Sequence, residues 1–424
     1  MRILLADTTI GGSLIGGAQT FLVKLLRGLI DDGHDVHLLA DGEGEGWVRD
    51  ALRETGAKIH SNLLGGDLVD DATPRIAEWI NELSPDVYVI SVSPDIGWSV
   101  LPHLDPRIAT LTIGHNDVGA FYDPVKHYAR FLTRAIGVSD TICRKYVEIF
   151  ERVNHPGLED SATPPSKGGQ FPDQVVWIPY GVETLENFEA DVSRAADRSE
   201  EPGPIRLAYV GRFENTQKRI ADVVAIARQL SSEGVAFKFD LVGDGEEMPF
   251  VREQLSDLIA EGSVRIHGWL PSEKVIEKLR ESEVFVLASA YEGFCISLIE
   301  AIANGCAPVV TDIESGNKQL VEDGVNGFVV PVGDIDAFIG KIGVLAGDRD
   351  RLLQMRSRAW DTGKQYSVER MVANYVDCFE RAVADARANP RVVDPEFPLM
   401  ESCRSKYPLW LRRLKARVSP RSGV

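Results

Sequence analysis

The sequence is poor in cysteine, and its cysteines follow no recognisable framework. The five are odd in number and far apart, with no C-x-x-C pair among Cys143, Cys295, Cys306, Cys378 and Cys403. Disulfide scaffolds and zinc sites depend on paired or closely spaced cysteines. The spacing therefore predicts a protein of a reducing compartment, with neither a disulfide framework nor a zinc site.

Long hydrophobic runs are also absent from the sequence. The apolar run after Met1 and Arg2 stops at Asp7, which makes it shorter than the core of a signal peptide. No run approaches the ~18 apolar residues of a membrane-spanning helix. We therefore expect a cytoplasmic protein, with the C-terminal tail described below as its candidate for peripheral contact with the inner face of the membrane.

Positive charge is scarce relative to negative charge. The chain has 46 Lys and Arg against 64 Asp and Glu, a formal net charge of −18. A surface of this charge repels a polyanion, so we expect no nucleic acid among the partners. A small anionic ligand is still compatible with the composition, because cations near a cleft act at shorter range than the distant net charge.

What the sequence does contain is an alternation of short apolar runs with helical patterns, which is typical of parallel sheets between helices. The first series of predicted strands comprises Arg2–Ala6, Val36–Ala40, Lys58–His60, Val87–Ser91, Ala109–Ile113, Ala135–Val138 and Val175–Ile178. The second comprises Arg206–Val210, Phe237–Val242, Val264–His267, Val284–Leu287, Pro308–Val310 and Gly327–Val330. Because 424 residues exceed one usual core, the prediction is an α/β fold of two Rossmann-like, doubly wound domains.

Composition also suggests where the domains end. We predict an N-terminal domain over residues 1–185 and a C-terminal domain over 205–366, joined by an acidic linker over 186–204. A terminal helix is predicted over 367–390 and a basic tail over 391–424.

Two glutamates flank the junction between a predicted strand and the next helix. Glu292 and Glu300 belong to the segment EGFCISLIEA, which follows Val284–Leu287. Open α/β sheets bind ligands at such strand ends, and the N–H groups of a helix start attract a diphosphate. Gly293 allows close approach of the backbone to a ligand. Either the two carboxylates bind sugar and ribose hydroxyls, or Glu292 is a solvated loop residue and Glu300 a surface charge.

Two cations follow another predicted strand end. Arg212 lies in the segment YVGRF, and Lys218 comes six residues later. A departing nucleoside diphosphate develops negative charge, which a metal ion or fixed cations must stabilise. Arg212 offers a planar fork to phosphate oxygens and Lys218 a compact point charge. The alternative is that both are exposed cations at a helix start.

The segment from Glu292 to Glu300 resembles the E-x7-E motif of a large family of retaining glycosyltransferases, which includes phosphatidylinositol mannosyltransferases and lipopolysaccharide glucosyltransferases. The resemblance extends across nearly the whole second domain, through VGDG at 242–245, IHGWL at 266–270, AIANGCAPVV at 301–310 and VEDGVNGF at 321–328. It implies the GT-B architecture, in which two Rossmann-like domains face each other. The first would bind the acceptor, the second the nucleotide sugar, and the terminal helix would cross back to the first.

The activity implied by this resemblance is that of a hexosyltransferase in polysaccharide biosynthesis. The donor would be a UDP- or GDP-sugar, the acceptor a glycan or lipid-linked glycan, and the anomeric configuration would be retained without a metal ion or other cofactor. Competing interpretations are a GT-B sugar phosphorylase, a nucleotide-sugar epimerase, and a non-catalytic protein that binds sugar nucleotides.

By the same resemblance, the charged residues take defined roles. Arg212 and Lys218 would hold the donor pyrophosphate. Glu300 would hold the ribose, and Glu292 would orient the donor sugar together with the backbone of Gly293-Phe294.

Two further candidates lie in the first half of the chain. Gly16 and Gly17 belong to a glycine-rich loop after the first strand, and by resemblance they face the donor across the cleft. The loop does not match G-x-G-x-x-G, so dinucleotide binding is the weaker interpretation. His115 follows a predicted strand, and by resemblance it contacts the donor sugar or donates a hydrogen bond during transfer; the alternative is a structural histidine.

The sequence departs from the family pattern at two positions. Cys295 stands where glycine often follows the phenylalanine of the motif, and Arg219 where glycine commonly follows the lysine. Neither change removes a charge that the chemistry needs. They bear on the identity of the donor rather than on the class of reaction.

The end of the sequence has a composition of its own. Residues Glu401–Val424 contain seven Lys or Arg and one acid, and apolar residues recur at roughly helical spacing. Such a stretch predicts either a helix on an anionic membrane surface, close to a lipid-linked acceptor, or a solvated tail or a helix packed on the protein's own acidic surface.

Overall fold

The computed structural model of the chain describes residues 1–7, 17–40, 46–61, 67–92, 95–154, 171–189, 203–313 and 316–400. These residues form two parallel β-sheets with flanking helices. Three features predicted from the sequence lie outside the described residues: Gly16, most of the linker, and the tail Glu401–Val424.

The first sheet has seven parallel strands in the described part of the chain. In chain order they are β1 (Arg2–Ala6), β2 (Asp35–Ala40), β3 (Lys58–Ser61), β4 (Val87–Ile90), β5 (Ala109–Gly114), β6 (Arg134–Gly137) and β7 (Val175–Trp177). Their order across the sheet is β3-β2-β1-β4-β5-β6-β7, so the direction of winding reverses between β1 and β4. Open α/β sheets bind ligands near such a reversal, at the carboxyl ends of the strands.

The second sheet repeats this order. Its strands are β8 (Ile205–Val210), β9 (Phe237–Val242), β10 (Val264–Gly268), β11 (Val284–Leu287), β12 (Ala307–Thr311) and β13 (Phe328–Val330). They are arranged β10-β9-β8-β11-β12-β13, which places β8 and β11 at the reversal, as β1 and β4 are in the first sheet.

Helices connect the strands of both sheets. Those of the first half are α1 (Gly17–Asp31), α2 (Gly46–Thr55), α3 (Val69–Leu83), α4 (Ile96–Ser99), α5 (Asp123–Tyr128) and α6 (Asp140–Asn154), with short 3-10 turns at Leu101–His103, Gly119–Phe121 and Ala129–Phe131. Those of the second half are α7 (Ile220–Ser232), α8 (Met248–Gln254), α9 (Ser256–Ala260), α10 (Ser272–Glu281), α11 (Ile296–Ala303), α12 (Asn317–Leu320), α13 (Ile335–Gly347) and α14 (Arg349–Gly363). A 3-10 turn at Lys364–Tyr366 leads into α15 (Val368–Ala388).

The interior strands form because their short runs of Val, Ile and Leu are buried. Every residue of β4, β11 and β12 is buried, as expected for parallel strands covered on both faces. Each predicted strand is present, and its bounds lie within one residue of the prediction at either end. The α/β prediction is therefore confirmed.

The chain passes between the two halves at two adjacent places. The first passage follows β7, and by Leu185 the chain has reached the second half, where the Trp360 Nε1–H donates a hydrogen bond to the Leu185 carbonyl at 2.8 Å. The second passage runs through Tyr366. There the Val182 N–H donates a hydrogen bond to the Tyr366 carbonyl at 2.8 Å, so the two passages lie side by side. After the second passage, α15 packs against α1 and β5 of the first half.

Residues 391–400 dock on the first half. The Arg391 guanidinium donates hydrogen bonds of 3.0 to 3.3 Å to three backbone carbonyls in the segment 101–108. The Phe397 ring packs edge-on against Phe131, with a centroid distance of 4.8 Å. The first ten residues of the predicted basic tail are therefore anchored to the first half through Arg391 and Phe397, although half of them are exposed. Among the described helices, none combines the length and apolar content needed to span a bilayer.

Candidate active site

Two loops meet at the carboxyl ends of the neighbouring strands β8 and β11. These strands pair in parallel, with Val284 opposite Leu207, so the segments that follow them leave the sheet at the same edge. The Ala290 N–H, in the loop after β11, donates a hydrogen bond of 2.8 Å to the carbonyl of Gln217, in the loop after β8. The topology thus brings together two segments that are about 75 residues apart in the sequence.

Glu214 shapes the loop after β8. Its carboxylate accepts hydrogen bonds from the backbone N–H groups of Thr216, Gln217 and Lys218, at 2.8, 3.0 and 2.7 Å. Burial alone would raise the pKa of Glu214, but these hydrogen bonds outweigh it and the pKa is lowered. An ionised Glu214 therefore fixes the backbone from which the side chains of Gln217 and Lys218 project.

Lys218 and Glu292 form a mostly buried ion pair across the two loops. The distance from Lys218 Nζ to Glu292 Oε1 is 2.6 Å, and the two side chains are 12% and 7% exposed. The Ser289 hydroxyl donates to the same oxygen at 2.7 Å, and Gln217 Nε2 donates to Glu292 Oε2 at 3.2 Å. Burial would lower the pKa of Lys218, but the Glu292 carboxylate outweighs it, so the pKa is raised and the ammonium stays charged.

Arg212 joins this cluster through Gln217. Its guanidinium donates a hydrogen bond of 2.8 Å to Gln217 Oε1, and the same amide reaches Glu292 through its nitrogen. Unlike Lys218, the Arg212 residue is exposed. The structure thus brings together the sequence-predicted residues Arg212, Lys218 and Glu292. The Arg212 guanidinium faces solvent, and the Lys218 ammonium is mostly buried. We call this set, with Gln217 and Ser289, the charged cluster.

Glu300 lies apart from the charged cluster, at the contact between the two halves. Its Oε1 is 3.6 Å from Nζ of Lys24 on α1, and the same ammonium donates a 2.7 Å hydrogen bond to Glu183. Burial raises the pKa of Glu300, and the Lys24 ammonium only partly opposes this shift. Sequence analysis missed Lys24, because nothing in its local pattern indicates a partner 276 residues away.

Two of the predicted glycines, Gly17 and Gly293, lie at close contacts between the two halves. A Cβ atom at Gly293 would lie 2.6 Å from the His115 carbonyl oxygen, and one at Gly17 would lie 2.8 Å from Cδ1 of Ile296. The first contact is with rigid backbone, so a side chain at position 293 would push the halves apart. Phe294 is buried at the same interface, where its ring packs near Tyr180 with a centroid distance of 6.3 Å.

His115 belongs to a buried hydrogen-bond network at the carboxyl edge of the first sheet. The Ser91 hydroxyl donates to Asp7 Oδ2 at 2.8 Å, and His115 Nε2 lies 3.0 Å from Ser91 Oγ. His115 Nδ1 lies 2.8 Å from the Tyr180 hydroxyl. Burial lowers the pKa of His115 to about 4. A neutral ring that donates from Nε2 and accepts at Nδ1 satisfies all three contacts. We call Asp7, Ser91, His115 and Tyr180 the His115 network.

The order of the strands brings the residues of this network together. Asp7, Ser91 and His115 directly follow β1, β4 and β5, which are neighbours in the sheet. Both ring nitrogens of His115 are engaged within the first half, and its backbone carbonyl is the group that reaches the Gly293 loop. The catalytic role suggested for His115 stays a prediction.

Arg219 adopts a backbone conformation that favours glycine. Its φ and ψ angles are 50° and 51°, in the left-handed region, at the N-cap of α7. Two hydrogen bonds to Asp222, of 2.7 and 3.1 Å, hold the guanidinium in place. The geometry accounts for the frequent glycine that the resemblance implies at this position, because glycine takes this conformation without steric cost.

A cleft of about 200 Å³ lies beside the charged cluster, between the two halves. Its lining comes from four residues of the first half and four of the second: Asn116, Asp117, Val118, Phe121, Gln217, Tyr291, Glu292 and Gly293. Within the described residues, no group of three or more His, Cys, Asp or Glu side chains is placed to hold a metal ion. The charged side chains that line the cleft are Asp117 of the first half and Glu292 of the charged cluster.

The segment that contains the whole charged cluster and Glu300 also matches a known family. Residues 193–362 match the model of the glycosyl transferases group 1. This group 1 match covers the second sheet and most of its helices. Several curated proteins are similar to the chain, and the first of them are each matched over less than half of their own length.

Two relatives illustrate the range of the similarity. The lipopolysaccharide 1,6-galactosyltransferase of Salmonella typhimurium is 30% identical over 149 residues, which are 34% of this chain and 41% of that protein. The phosphatidyl-myo-inositol mannosyltransferase of Mycolicibacterium smegmatis is 25% identical over 348 residues, which are 79% of this chain and 83% of that protein.

Solved structures share the architecture of both halves. The crystal structure of Anabaena HepE in complex with UDP superimposes with a TM-score of 0.66 at 17% identity, covering 90% of this chain and 100% of that one. At this identity the likeness concerns the fold alone. The predicted GT-B architecture of two facing parallel sheets is confirmed.

Proposed function

We propose that the protein is a glycosyltransferase that transfers a sugar from a UDP- or GDP-sugar to a glycan or lipid-linked glycan, in polysaccharide or glycolipid biosynthesis. Retention of the anomeric configuration and independence of metal ions are parts of the proposal. The group 1 match supports the reaction class. The choice of donor is supported by the structures of Anabaena HepE, which were determined with UDP and with UDP-glucose.

The observation that carries the proposal is the charged cluster at the carboxyl ends of β8 and β11. A nucleoside diphosphate gains negative charge as the bond to its sugar breaks, and fixed cations stabilise that charge in the transition state. Lys218 is held charged and mostly buried, and Arg212 is exposed beside it. In this proposal the two cations neutralise the diphosphate.

In this proposal Glu292 orients the donor sugar while Lys218 holds the phosphates. Its two oxygens are fixed by Lys218, Ser289 and Gln217, so the carboxylate keeps one position beside the cleft. A carboxylate accepts hydrogen bonds from sugar hydroxyls, and one held in place loses little entropy when it does so. Glu300 would hold the ribose diol once that diol replaces the Lys24 ammonium as its partner.

Release of nucleoside diphosphate from UDP-, GDP- and ADP-sugars by the purified full chain tests the proposal. Lys218→Ala should cost roughly 2–4 kcal/mol of transition-state stabilisation, which lowers kcat/KM about 30- to 1000-fold. Lys274→Ala, at an exposed lysine paired with Glu277 on α10, is the matched control and should keep the wild-type rate. Turnover should persist in EDTA. A Lys218→Ala enzyme as fast as wild type would remove this residue from the mechanism.

The same assay separates the competing interpretations. A non-catalytic sensor would be stabilised thermally by a sugar nucleotide and would never release nucleoside diphosphate. A phosphorylase would require inorganic phosphate for turnover, and an epimerase would convert the donor without an acceptor. The anomeric configuration of the product, read by NMR, decides whether transfer is retaining.

Membrane contact by the basic tail stays a prediction. The docking of residues 391–400 on the first half means that the informative truncation ends at Met400 rather than near Pro390. Co-sedimentation with anionic liposomes should be weaker for the chain ending at Met400 than for the full chain. Equal binding by the two would reject the membrane role.

A further inference from the structure

Two half-exposed aromatic rings, one from each half of the chain, line the same cleft. Phe121 ends the 3-10 turn Gly119–Phe121 and is 48% exposed, and Tyr291 directly precedes Glu292 and is 47% exposed. Within the described residues, they are the only phenylalanine and tyrosine in the exposed class. Aromatic side chains are usually buried for the area that they remove from water. Trp177 and Trp269 are also exposed, at 38% and 40%, but they do not line this cleft. Two exposed rings that border one cleft indicate a surface kept open for a ligand.

Polar groups surround these rings. The first half contributes Asn116 and Asp117 to the cleft, and the second half contributes Gln217 and Glu292. The Asp117 carboxylate accepts a hydrogen bond of 2.8 Å from the Tyr122 hydroxyl, which fixes its orientation. The cleft therefore offers apolar ring faces together with hydrogen-bond acceptors held in place on both sides.

A sugar ring has the matching chemistry. A pyranose carries hydroxyls around its edge and a patch of C–H groups on its face, and such C–H groups pack against the electron-rich face of an aromatic ring. The cleft volume of about 200 Å³ is below the ~300 Å³ at which pockets for drug-sized ligands begin. It therefore suits a single ring. An acyl chain would meet the carboxylates of Asp117 and Glu292, which makes a lipid tail a poor occupant.

We propose that Phe121 and Tyr291 form an acceptor subsite that binds one pyranose ring, the terminal sugar of a glycan acceptor, by stacking. This inference rests on the proposed function, because the sugar donor would bind at the adjacent Glu292. Tyr291 is joined to Glu292 along the chain, so the subsite places an acceptor hydroxyl beside the donor sugar. Phe121 belongs to the first half, and the subsite is complete only when the two halves face each other.

The test uses methyl glycopyranosides of glucose, galactose and mannose as probes with the full chain and UDP. Binding is followed by saturation-transfer NMR, and sorbitol serves as an open-chain polyol without a ring face. At least one pyranoside should bind and sorbitol should not. Phe121→Ala and Tyr291→Ala should each weaken pyranoside binding about five- to tenfold, whereas Tyr291→Phe, which keeps the ring, should bind within twofold of wild type.

A matched control and a second measurement keep this test independent of folding and of donor chemistry. Leu353→Ala removes an apolar side chain of α14 that is 40% exposed, and it should leave pyranoside binding at the wild-type level. Thermal melting of each variant reports folding. With a bound pyranoside as acceptor, Phe121→Ala should raise the acceptor KM while the donor KM moves by less than twofold.

Three outcomes would overturn the subsite: equal pyranoside binding by wild type and both alanine variants, sorbitol binding as strong as pyranoside binding, or no pyranoside binding by wild type. These are distinguishable from failure of the proposed function. If UDP-sugar turnover depends on Lys218 while pyranoside binding ignores both rings, the acceptor subsite alone is wrong.

Discussion

The carboxyl edges of the two sheets share one topology but differ in the side chains that they carry. β1 and β4 occupy the positions in the first sheet that β8 and β11 occupy in the second. In the first, Asp7, Ser91 and His115 are buried and joined by hydrogen bonds in the His115 network. In the second, Lys218 and Glu292 form an ion pair beside an exposed Arg212. The comparison teaches that the fold provides the edge, while the residue types decide whether that edge carries a hydrogen-bonded histidine or an ion pair.

A third site, the contact of Lys24 with Glu300 and Glu183, belongs to neither sheet alone. It joins α1 of the first half to α11 of the second. The charged cluster is assembled within one half and does not depend on how the halves face each other. The Lys24 contact exists only when they meet, so it reports on their arrangement.

The largest effect is expected from breaking the ion pair of the charged cluster. Glu292→Ala leaves the Lys218 ammonium mostly buried without its carboxylate, and we expect a loss of about 3–5 kcal/mol in the free energy of unfolding. Denaturant unfolding of the full chain measures this loss. The double variant Lys218→Ala/Glu292→Ala should lose less unfolding free energy than the sum of the losses in the two single variants. Glu277→Ala, at an exposed pair, should change stability by under about 1 kcal/mol; additivity at 218 and 292 would contradict the pairing.

The next effect is the pH dependence of folding stability that the His115 network causes. The pKa of His115 is lowered from 6.5 to about 4 in the folded protein, so between these pH values the unfolded chain binds a proton that the folded protein does not. Stability is therefore retained above pH 6.5 and falls as the pH drops towards 4, by about 3 kcal/mol for this residue. Melting temperatures measured from pH 7 to pH 4 should fall less steeply for His115→Asn than for wild type. Parallel curves would show that His115 titrates normally.

The smallest effect is expected at the contact between the halves. Lys24→Met removes the ammonium shared by Glu300 and Glu183, and we expect a loss of about 1–2 kcal/mol, because Glu183 is half-exposed. Adding Glu300→Gln should recover part of this loss, since the amide needs no counter-charge. Arg27→Met, on the same helix and exposed, is the control and should be near neutral. If Lys24→Met were equally neutral, the contact would contribute nothing to holding the halves together.

The sequence was sufficient to predict the strands and the charged residues that follow them. Buried parallel strands are read as runs of Val, Ile and Leu, and in this fold the ends of neighbouring strands meet at one edge. This is why Arg212, Lys218 and Glu292 could be nominated together from separate segments. Gln217 and Ser289, which hold Glu292 in place, were missed because amides and hydroxyls occur in most loops and carry no distinctive pattern.

Contacts between the halves could not be predicted in the same way. Whether Lys24 meets Glu300 depends on the relative placement of two domains, and no periodicity within α1 reveals it. The departure at Arg219 was visible in the sequence, but its left-handed φ of 50° and its pairing with Asp222 required coordinates. Similarly, His115 was placed correctly at a strand end, and only the structure shows that both ring nitrogens are occupied.

The side-by-side passages of the chain, joined by the hydrogen bond from Val182 to Tyr366, restrict how the cleft can widen. Two backbone segments joined at one place act as a hinge, so the two halves rotate about it and cannot slide apart. The displacement of one half relative to the other then grows with distance from this hinge. Tyr180 and Phe294, which pack near the hinge, would move little, and the width of the cleft far from the hinge would set how large an incoming molecule can be admitted.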